Sequence, residues 1–396
     1  MHHDLSGQSA GNEALNPSAQ QQRDPHRGPA GKGGGLGAPR DINSRFELIR
    51  MLVAILIGIA ITALVIFAVS DTPLESLRYM FIGPATTPRY FFNVLELMLP
   101  LVFTGVAISL CFSAQQFNLT AEGIFFFGGM VAAVAAITTK LPDGLHPFFC
   151  ILLAGLAGGV IGAIPGLLKY RWNASELVIS LMLNYVCFSV SMYVIKNHFR
   201  DKDAGAIVSY LFEKTAVLDK VVAKYRLTTG GVVLAAAVCL LAYLFMYKTR
   251  WGFSVRAAGA NMNFTRYTGL NVAFAVIGSQ VLSGVVAGMG GAVEMLSMFT
   301  RFQWAALTGY GWDGVIVAIF ARNNPRHVPL AALFLAYLRI GADIMMRRTG
   351  VQMEIVKVIQ AIMIVLLVAE SFLAKTRHRM VVREATRESI VAEEVA

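Results

Sequence analysis

Charged residues are scarce in this chain. They make up 15% of its 396 residues, whereas hydrophobic residues make up 56%. A soluble domain of average composition carries about a quarter charged residues, so this shortage argues against one large soluble domain. The net charge of +10 would suit a nucleic-acid partner, but residues 1–50 and 374–396 carry only +1 each, so neither tail forms a basic arm. We therefore expect a membrane protein whose partner is the lipid bilayer, with no nucleic acid bound.

The sequence also lacks the patterns of common metal and nucleotide sites. Its 4 cysteines form no CxxC pair, and its 7 histidines form no HExxH pattern. The glycine run around Lys32 does not have the GxxxxGK[ST] spacing of a phosphate-binding loop. We therefore expect no catalytic residue, no metal site and no cofactor bound by the chain itself.

Large apolar residues are nearly absent from residues 1–40, which are rich in Gly, Gln, Pro and Ser. Such a segment buries too little surface to offset its ordering entropy, so it is predicted to be a disordered N-terminal tail. Residues 41–50 have apolar side chains at helical spacing, which predicts either an interfacial helix or an extension of the first span. Residues 41–373 are predicted to form one transmembrane domain, and residues 374–396 a cytoplasmic C-terminal tail.

Long apolar runs fill the chain between its tails. A helix of about 20 apolar residues crosses a bilayer, and a helix pairs its own backbone groups in lipid. The fold class is therefore predicted to be all-α, a polytopic membrane protein with about 10 transmembrane helices. The predicted spans are 51–69, 91–112, 123–139, 147–168, 177–195, 229–246, 272–298, 304–321, 328–345 and 355–373.

Two polar breaks interrupt these runs, at 113–122 and 303–314. The first break either lines a cavity or forms a short loop, and the residues leave both possibilities open. Ionisable residues predicted at membrane depth usually face the protein interior or a water-filled path. They are Glu96, Glu122, Glu294, Asp313, Arg339, Asp343, Lys357 and Glu370.

Small residues predict where helices pack closely. Gly158, Gly162 and Gly166 recur every four residues in the fourth span, and Gly284 and Gly288 do so in the seventh. This spacing lets helix backbones approach one another. It predicts a tightly packed bundle and no particular function.

The loop at 248–270 is polar and contains basic residues without an acidic one. It is either an ordinary internal loop of a membrane protein or a docking surface for a soluble partner. With both termini placed in the cytoplasm, basic residues in internal segments outnumber those in external loops by a narrow margin. The external loop 196–227 is the segment that works against this orientation.

Five segments follow one another in a characteristic order. They are LPLVFTGVAISLCFSAQQFNLTAEG at 99–123, SELVISLMLNYV at 175–186, GFSVRAAGANMNFTRYTGLN at 252–271, SGVVAGMGGAVEML at 283–296 and GYGWDGVIVAIFARNNP at 309–325. Together they resemble the permeases of ABC importers in the branched-chain amino acid, ribose and nucleoside group, nearest to the simple-sugar and nucleoside branch. The resemblance runs from about residue 50 to residue 373. Ser175 and Trp312 depart from the usual Asn and Phe of this pattern.

The resemblance implies a translocation subunit, not an enzyme, in the bacterial cytoplasmic (inner) membrane. Its implied partners are an ABC ATPase that uses ATP-Mg, a second, related permease and a substrate-binding lipoprotein. The implied cargo is a purine or pyrimidine nucleoside, with riboflavin or a ribose-like sugar as alternatives. The implied ATPase-coupling residues are Gly252, Arg256, Gly259, Asn261 and Gly269. The substrate-pathway candidates are Phe117, Asn118, Glu122, Asn184, Glu294, Trp312 and Asp313.

Two other classes of protein stay open at this point. An ion-coupled secondary transporter would show inverted repeats with matching broken helices, and two breaks without a repeat are present. A scaffold protein would show no polar path through the membrane.

Overall fold

The computed structural model describes residues 72–221 and 225–350, together with Leu64, Ile66, Phe67, Val358 and Ala361. These residues all belong to the unit Arg50–Ala396. The predicted first and tenth spans therefore lie almost wholly outside the described residues, and so do the two predicted tails. Within the described part the secondary structure is helical, with isolated β-bridges but no β-strand. The all-α prediction is confirmed.

Most of the α-helices follow one another with short connections, and the longest connection, 195–228, lies between α6 and α7. In chain order they are α1 Pro73–Phe81, α2 Gly83–Thr86, α3 Pro88–Ser113, α4 Ala121–Thr138, α5 Leu145–Trp172, α6 Glu176–Val194, α7 Thr229–Lys248, α8 Arg250–Ala260, α9 Met262–Tyr267, α10 Ser279–Met298, α11 Tyr310–Phe320 and α12 Val328–Thr349. A π-helical segment, Ile195–Phe199, extends α6, and another, Phe274–Gly278, precedes α10.

Seven helices of the described chain are long and apolar enough to cross a membrane. They correspond to seven of the predicted spans, and their ends differ from the prediction by a few residues. The prediction for 304–321 is wrong in its extent, because only Tyr310–Phe320 is helical there. These 11 residues span about 16 Å, roughly half of a bilayer core. We call α11 the half-helix.

Helix α3 is the centre of the bundle. Most of its residues are buried, and it packs against α10, the half-helix and α12. Pro100 lies inside α3, and the hydroxyl of Thr104 donates to the carbonyl oxygen of Pro100 at 3.0 Å. The half-helix fits closely because a Cβ at Gly314 would lie 2.6 Å from the Cβ of Thr104.

The predicted glycine packing is confirmed between α5 and α10. A Cβ at Gly162 would lie 2.6 Å from the carbonyl oxygen of Gln280 and 3.1 Å from the Cα of Gly284. A Cβ at Gly158 would collide with the carbonyl oxygen of Gly284. The two glycine runs therefore face each other and bring two helix backbones into contact.

The predicted break at 113–122 is narrower in the structure. Helix α3 ends at Ser113 and α4 begins at Ala121, so the non-helical segment is 114–120. Glu122 consequently belongs to the first turn of α4. The second break is displaced, because the non-helical segment is 299–309 and Trp312 and Asp313 are helical.

The two ends of the bundle differ in character. The predicted loop at 248–270 is folded into two short helices, α8 and α9, and α8 lies beside the end of α3. We call this the α8 end. The segment 200–221 lies at the opposite end, where Phe212 donates to the carbonyl oxygen of Thr300 and Leu218 donates to that of Leu296.

Candidate functional site

Glu122 caps the half-helix from a neighbouring helix. Its side chain is 1% exposed, and its carboxyl group accepts hydrogen bonds from the N–H of Gly309 at 2.6 Å and the N–H of Gly311 at 2.5 Å. The hydroxyl of Thr308 donates to the same carboxyl group at 3.3 Å. Backbone N–H groups at a helix N-terminus have no partner within their own helix. Both oxygens of Glu122 are therefore used to hold the start of the half-helix.

Two glycines make this close approach possible. Gly309 precedes the half-helix with a φ of 82°, in the left-handed region that favours glycine. A Cβ at Gly311 would lie 2.5 Å from the Cα of Glu122. The carboxyl group also lies where the helix dipole places partial positive charge, which favours an acidic partner.

Asp313 is tied to α12. Arg339 donates from Nη2 to Oδ1 of Asp313 at 2.6 Å, and Nη1 forms an ion pair with Oδ2. Asp313 is 4% exposed, so the two-point contact is largely shielded from solvent. A guanidinium that meets both oxygens of a carboxylate is a strong and directional pair. The pair therefore joins the first turn of the half-helix to α12.

Asn184 and Asn118 hold the break at 114–120 in place. Asn184 Oδ1 accepts from the N–H of Gly123 at 2.8 Å, and Asn184 Nδ2 donates to the carbonyl oxygen of Leu119 at 2.9 Å. Asn118 Oδ1 accepts from the N–H of Thr120 at 2.7 Å. Both asparagines are almost fully buried. The structure thus brings Asn118, Glu122 and Asn184 together around the start of α4.

Glu294 lies on α10 beside the half-helix. It is 5% exposed and accepts a hydrogen bond from the hydroxyl of Tyr310 at 3.4 Å. Tyr310 also lines a cavity of about 600 Å³, which falls within the range of roughly 300–1,000 Å³ for small-molecule pockets. Glu96 lines the same cavity and accepts from the N–H of Arg226 at 2.7 Å. Glu294 is therefore connected to the half-helix through Tyr310.

Phe117 and Trp312 are the two exposed members of the pathway candidates. Phe117 is 55% exposed and Trp312 is 51% exposed. The N–H of Phe117 donates to Oε1 of Glu176 at 3.3 Å, which ties the break to the start of α6. The other five candidates are buried and engaged within the chain. Of the seven pathway candidates, only Phe117 and Trp312 offer a large exposed surface to a ligand in this conformation.

The coupling candidates shape the α8–α9 segment. A Cβ at Gly259 would collide with the carbonyl oxygen of Ser113, and one at Gly252 would collide with that of Phe245. Asn261 Oδ1 accepts from the N–H of Phe264 at 3.0 Å and caps α9. Gly269 has a φ of 75° and ends this segment. Gly252 and Gly259 therefore hold α8 against α7 and α3, whereas Asn261 and Gly269 define the start and the end of α9.

Arg256 is the charged member of this set. Its guanidinium lies 4.7 Å from the ring centroid of Tyr247 on α7, a cation–π distance. This contact links the middle of α8 to the last turns of α7. Arg256 thus holds α8 against α7, and it is less exposed than Arg250 and Arg266 in the same segment.

Sequence reasoning missed an exposed aromatic surface on α8 and α9. Phe253 is 55% exposed, Phe264 is 60% exposed and Tyr267 is 89% exposed. Exposed Arg250 and Arg266 lie on the same two helices. Large exposed aromatic and arginine side chains are typical of protein interfaces. Aromatic and basic residues lie close together in the sequence in RWGF and NFTRY, and this spacing was the available signal for such a surface.

Known proteins match most of this chain. It is 30% identical over 332 residues to the guanosine ABC transporter permease protein NupP of Bacillus subtilis. The aligned region covers 82% of this chain and 94% of that protein. It is 27% identical to the glucose ABC transporter permease protein TsgB13 of Haloferax volcanii, over 82% and 88% of the two chains. It is 23% identical to the probable riboflavin import permease protein RfuC of Treponema pallidum, over 82% and 86%. No solved structure matches the chain.

A family profile agrees with these similarities. Residues 90–368 match the profile described as branched-chain amino acid transport system / permease component. The matched region begins in α3, contains every helix from α4 to α12 and includes all the candidate residues. The chain therefore belongs to the family of branched-chain amino acid transport system permease components.

Proposed function

We propose that this chain is the membrane-spanning permease subunit of an ATP-driven importer that carries a nucleoside across the bacterial cytoplasmic membrane. Its partners would be an ABC ATPase that uses ATP-Mg, a second, related permease and a substrate-binding lipoprotein. Both termini would lie in the cytoplasm. The chain would bind no cofactor of its own, since ATP hydrolysis belongs to the partner.

The observation that carries the transport role is the contact between α8 and α3. Gly259 brings the backbone of α8 against the carbonyl oxygen of Ser113, the last residue of α3. The hydroxyl of Ser113 also donates to the carbonyl oxygen of Asn323 at 3.2 Å, beyond the end of the half-helix. A displacement of α8 by a docked ATPase would therefore reach both the break at 114–120 and the half-helix.

The conformational change would act on two rigidly held breaks. Glu122 joins the start of α4 to the start of the half-helix, and Asn184 joins the same turn of α4 to α6. A movement of α4 would shift the half-helix and α6 together. Alternating access requires that the ATPase and the ligand bind the two states with different affinities. The hydrogen bonds of Glu122 and Asn184 link α4, α6 and the half-helix into one unit, on which both the ATPase and the ligand could act.

The nucleoside is favoured as cargo by the similarity to a guanosine permease over nearly the full length of that protein. The glucose and riboflavin permeases among the relatives support the alternatives of a simple sugar and riboflavin. An ion-coupled secondary transporter is the alternative of another class. It would transport without an ATPase partner.

Uptake by the reconstituted complex tests this proposal. We expect labelled guanosine to enter proteoliposomes that contain both permeases, the ATPase and the binding protein, and only when ATP is supplied to the ATPase. Unlabelled adenosine should compete, and unlabelled glucose should not. Competition by riboflavin alone would replace the nucleoside by the flavin. Uptake that proceeds without ATP in response to an ion gradient would contradict the importer.

A further inference from the structure

The exposed surface of α6 contains two rows of side chains with different chemistry. One row, which we call the valine row, repeats every four residues and is aliphatic: Val178, Met182, Val186 and Val190. The other row, which we call the tyrosine row, has the same repeat and carries a hydroxyl at each position: Tyr185, Ser189 and Tyr193. All seven side chains are exposed.

The valine row has the composition expected of a surface that faces lipid. Val186 is 53% exposed and Val190 is 43% exposed, and neither carries a polar atom on its side chain. Tyr185 and Ser189 each precede one of these valines in the sequence, so they lie at nearly the same depth and about 100° further round the helix. The two rows therefore lie on adjoining faces of the helix, at the same level of the membrane and with different chemistry.

The depth of Tyr185 makes its exposure informative. The helical segment runs from Glu176 to Phe199, so Tyr185 lies roughly 14 Å from its nearer end. Tyrosines are common at the two interfaces of a membrane, which accounts for Tyr193 but not for a tyrosine in the middle of a span. Tyr185 is 67% exposed. Its position calls for a partner other than the headgroup region.

The hydroxyl groups of the tyrosine row have no partner within the described residues. The side-chain hydroxyl groups of Tyr185, Ser189 and Tyr193 form no hydrogen bond to any part of the chain that the structure describes. A hydroxyl placed in hydrocarbon without a hydrogen bond is unfavourable by a few kcal/mol. Water in a path through the membrane would satisfy all three.

We propose that the tyrosine row lines the water-filled path that the ligand takes through the bilayer, and that Tyr185 stacks against a planar ring of the ligand. This inference rests on the proposed transport function and adds the wall of the path and the chemical class of the cargo. The row combines ring faces with hydroxyl groups and contains no charge. Such a wall suits a neutral ligand with a planar ring and several hydrogen-bonding groups.

The path continues at the inner end of α6. Glu176 begins this helix and accepts from the N–H of Phe117, whose ring is 55% exposed. Asn184, next to Tyr185 in the sequence, binds the first turn of α4 beside Glu122. The wall is therefore connected to the half-helix, and a movement of the half-helix would shift Tyr185 against the ligand.

Cysteine labelling in the assembled importer separates the two rows. The four native cysteines, which are all buried, are first replaced by alanine. Tyr185→Cys and Ser189→Cys are then compared with Val186→Cys and Val190→Cys, using a membrane-impermeant sulfonated thiol reagent. Thiolates form in water and not in hydrocarbon, so we expect the first pair to react about tenfold faster than the second. Guanosine with the binding protein and ATP should slow the reaction at position 185.

Each outcome of this experiment decides the proposal. Equal rates in the two rows would show that the tyrosine row faces lipid and would overturn it. Unreactive cysteines at positions 185 and 189 that cross-link to the second permease would show a packed interface and would also overturn it. If the rows differ and guanosine is not transported, the water-filled wall stands and the proposed nucleoside cargo fails.

Discussion

Single buried side chains join the broken segments of this bundle to its continuous helices. Glu122 binds two N–H groups of the half-helix, Asp313 pairs with Arg339, and Asn184 bridges Leu119 and Gly123. Each of these side chains satisfies polar groups that would otherwise be unpaired where a helix is interrupted. In lipid such groups have no water to bind, so the interruptions require these partners.

Sequence reasoning selected most of these residues but not their contacts. Glu122 and Asp313 stand out because ionisable groups are rare in an apolar chain, and Asn118 and Asn184 are indicated by the resemblance to the permease family. Their partners are backbone N–H and carbonyl groups, or an arginine 26 residues away. Backbone groups carry no signature in a sequence, so the capping of the half-helix by Glu122 could not be predicted.

Substitution of Glu122 tests its capping role. Glu122→Gln leaves one acceptor oxygen and turns an NH₂ donor towards an N–H donor. Hydrogen bonds to charged groups contribute about 1.5–3 kcal/mol each, so we expect a clear fall in the thermal unfolding midpoint in detergent. Glu75→Gln, at an exposed glutamate in the first turn of α1, is the matched control and should leave the midpoint unchanged. Equal midpoints for the two variants would refute the capping role.

At the scale of elements, apolar runs locate spanning helices well and irregular buried segments poorly. The prediction for 304–321 treated Trp304 as part of a helix because it is apolar. In the structure Trp304 is not helical, and its ring lies 5.8 Å from that of Phe125 and 5.7 Å from that of Phe302. A segment that packs inside protein has the same composition as a helix that faces lipid. The spacing of apolar residues likewise did not indicate which face of α6 is left exposed by the other helices.

The contact between α5 and α10 gives a prediction for the packing of these two elements. Gly162→Leu would place a side chain where the backbone of α10 now lies, with the carbonyl oxygen of Gln280 2.6 Å from the new Cβ. Overpacking typically destabilises by about 1–3 kcal/mol, so we expect less folded protein and an earlier loss of monodisperse protein on heating in detergent. Val160→Leu, on the same helix at a position 71% exposed, should behave as wild type. A stable Gly162→Leu protein would show that the helices can separate without cost.

At the scale of the whole molecule, the described chain has a membrane-spanning bundle with a different surface at each end. The α8 end exposes aromatic and basic side chains on two short helices, of which α8 is held against α3 and α7. The opposite end contains the segment 200–221 and the cavity beside Glu96. A permease that couples an ATPase on one side to a binding protein on the other requires this polarity.

Co-purification of the ATPase tests the central claim most directly. Phe264→Glu with Tyr267→Glu alters two exposed side chains of α9, and Tyr210→Glu with Leu211→Glu alters two exposed side chains at the opposite end. We expect the first pair to abolish recovery of the ATPase with the membrane-extracted permease, because acidic groups replace an apolar contact surface. The second pair should recover as much ATPase as wild type. Full recovery with the α9 pair, or loss with the pair at the opposite end alone, would contradict the assignment of the α8 end as the ATPase-docking surface.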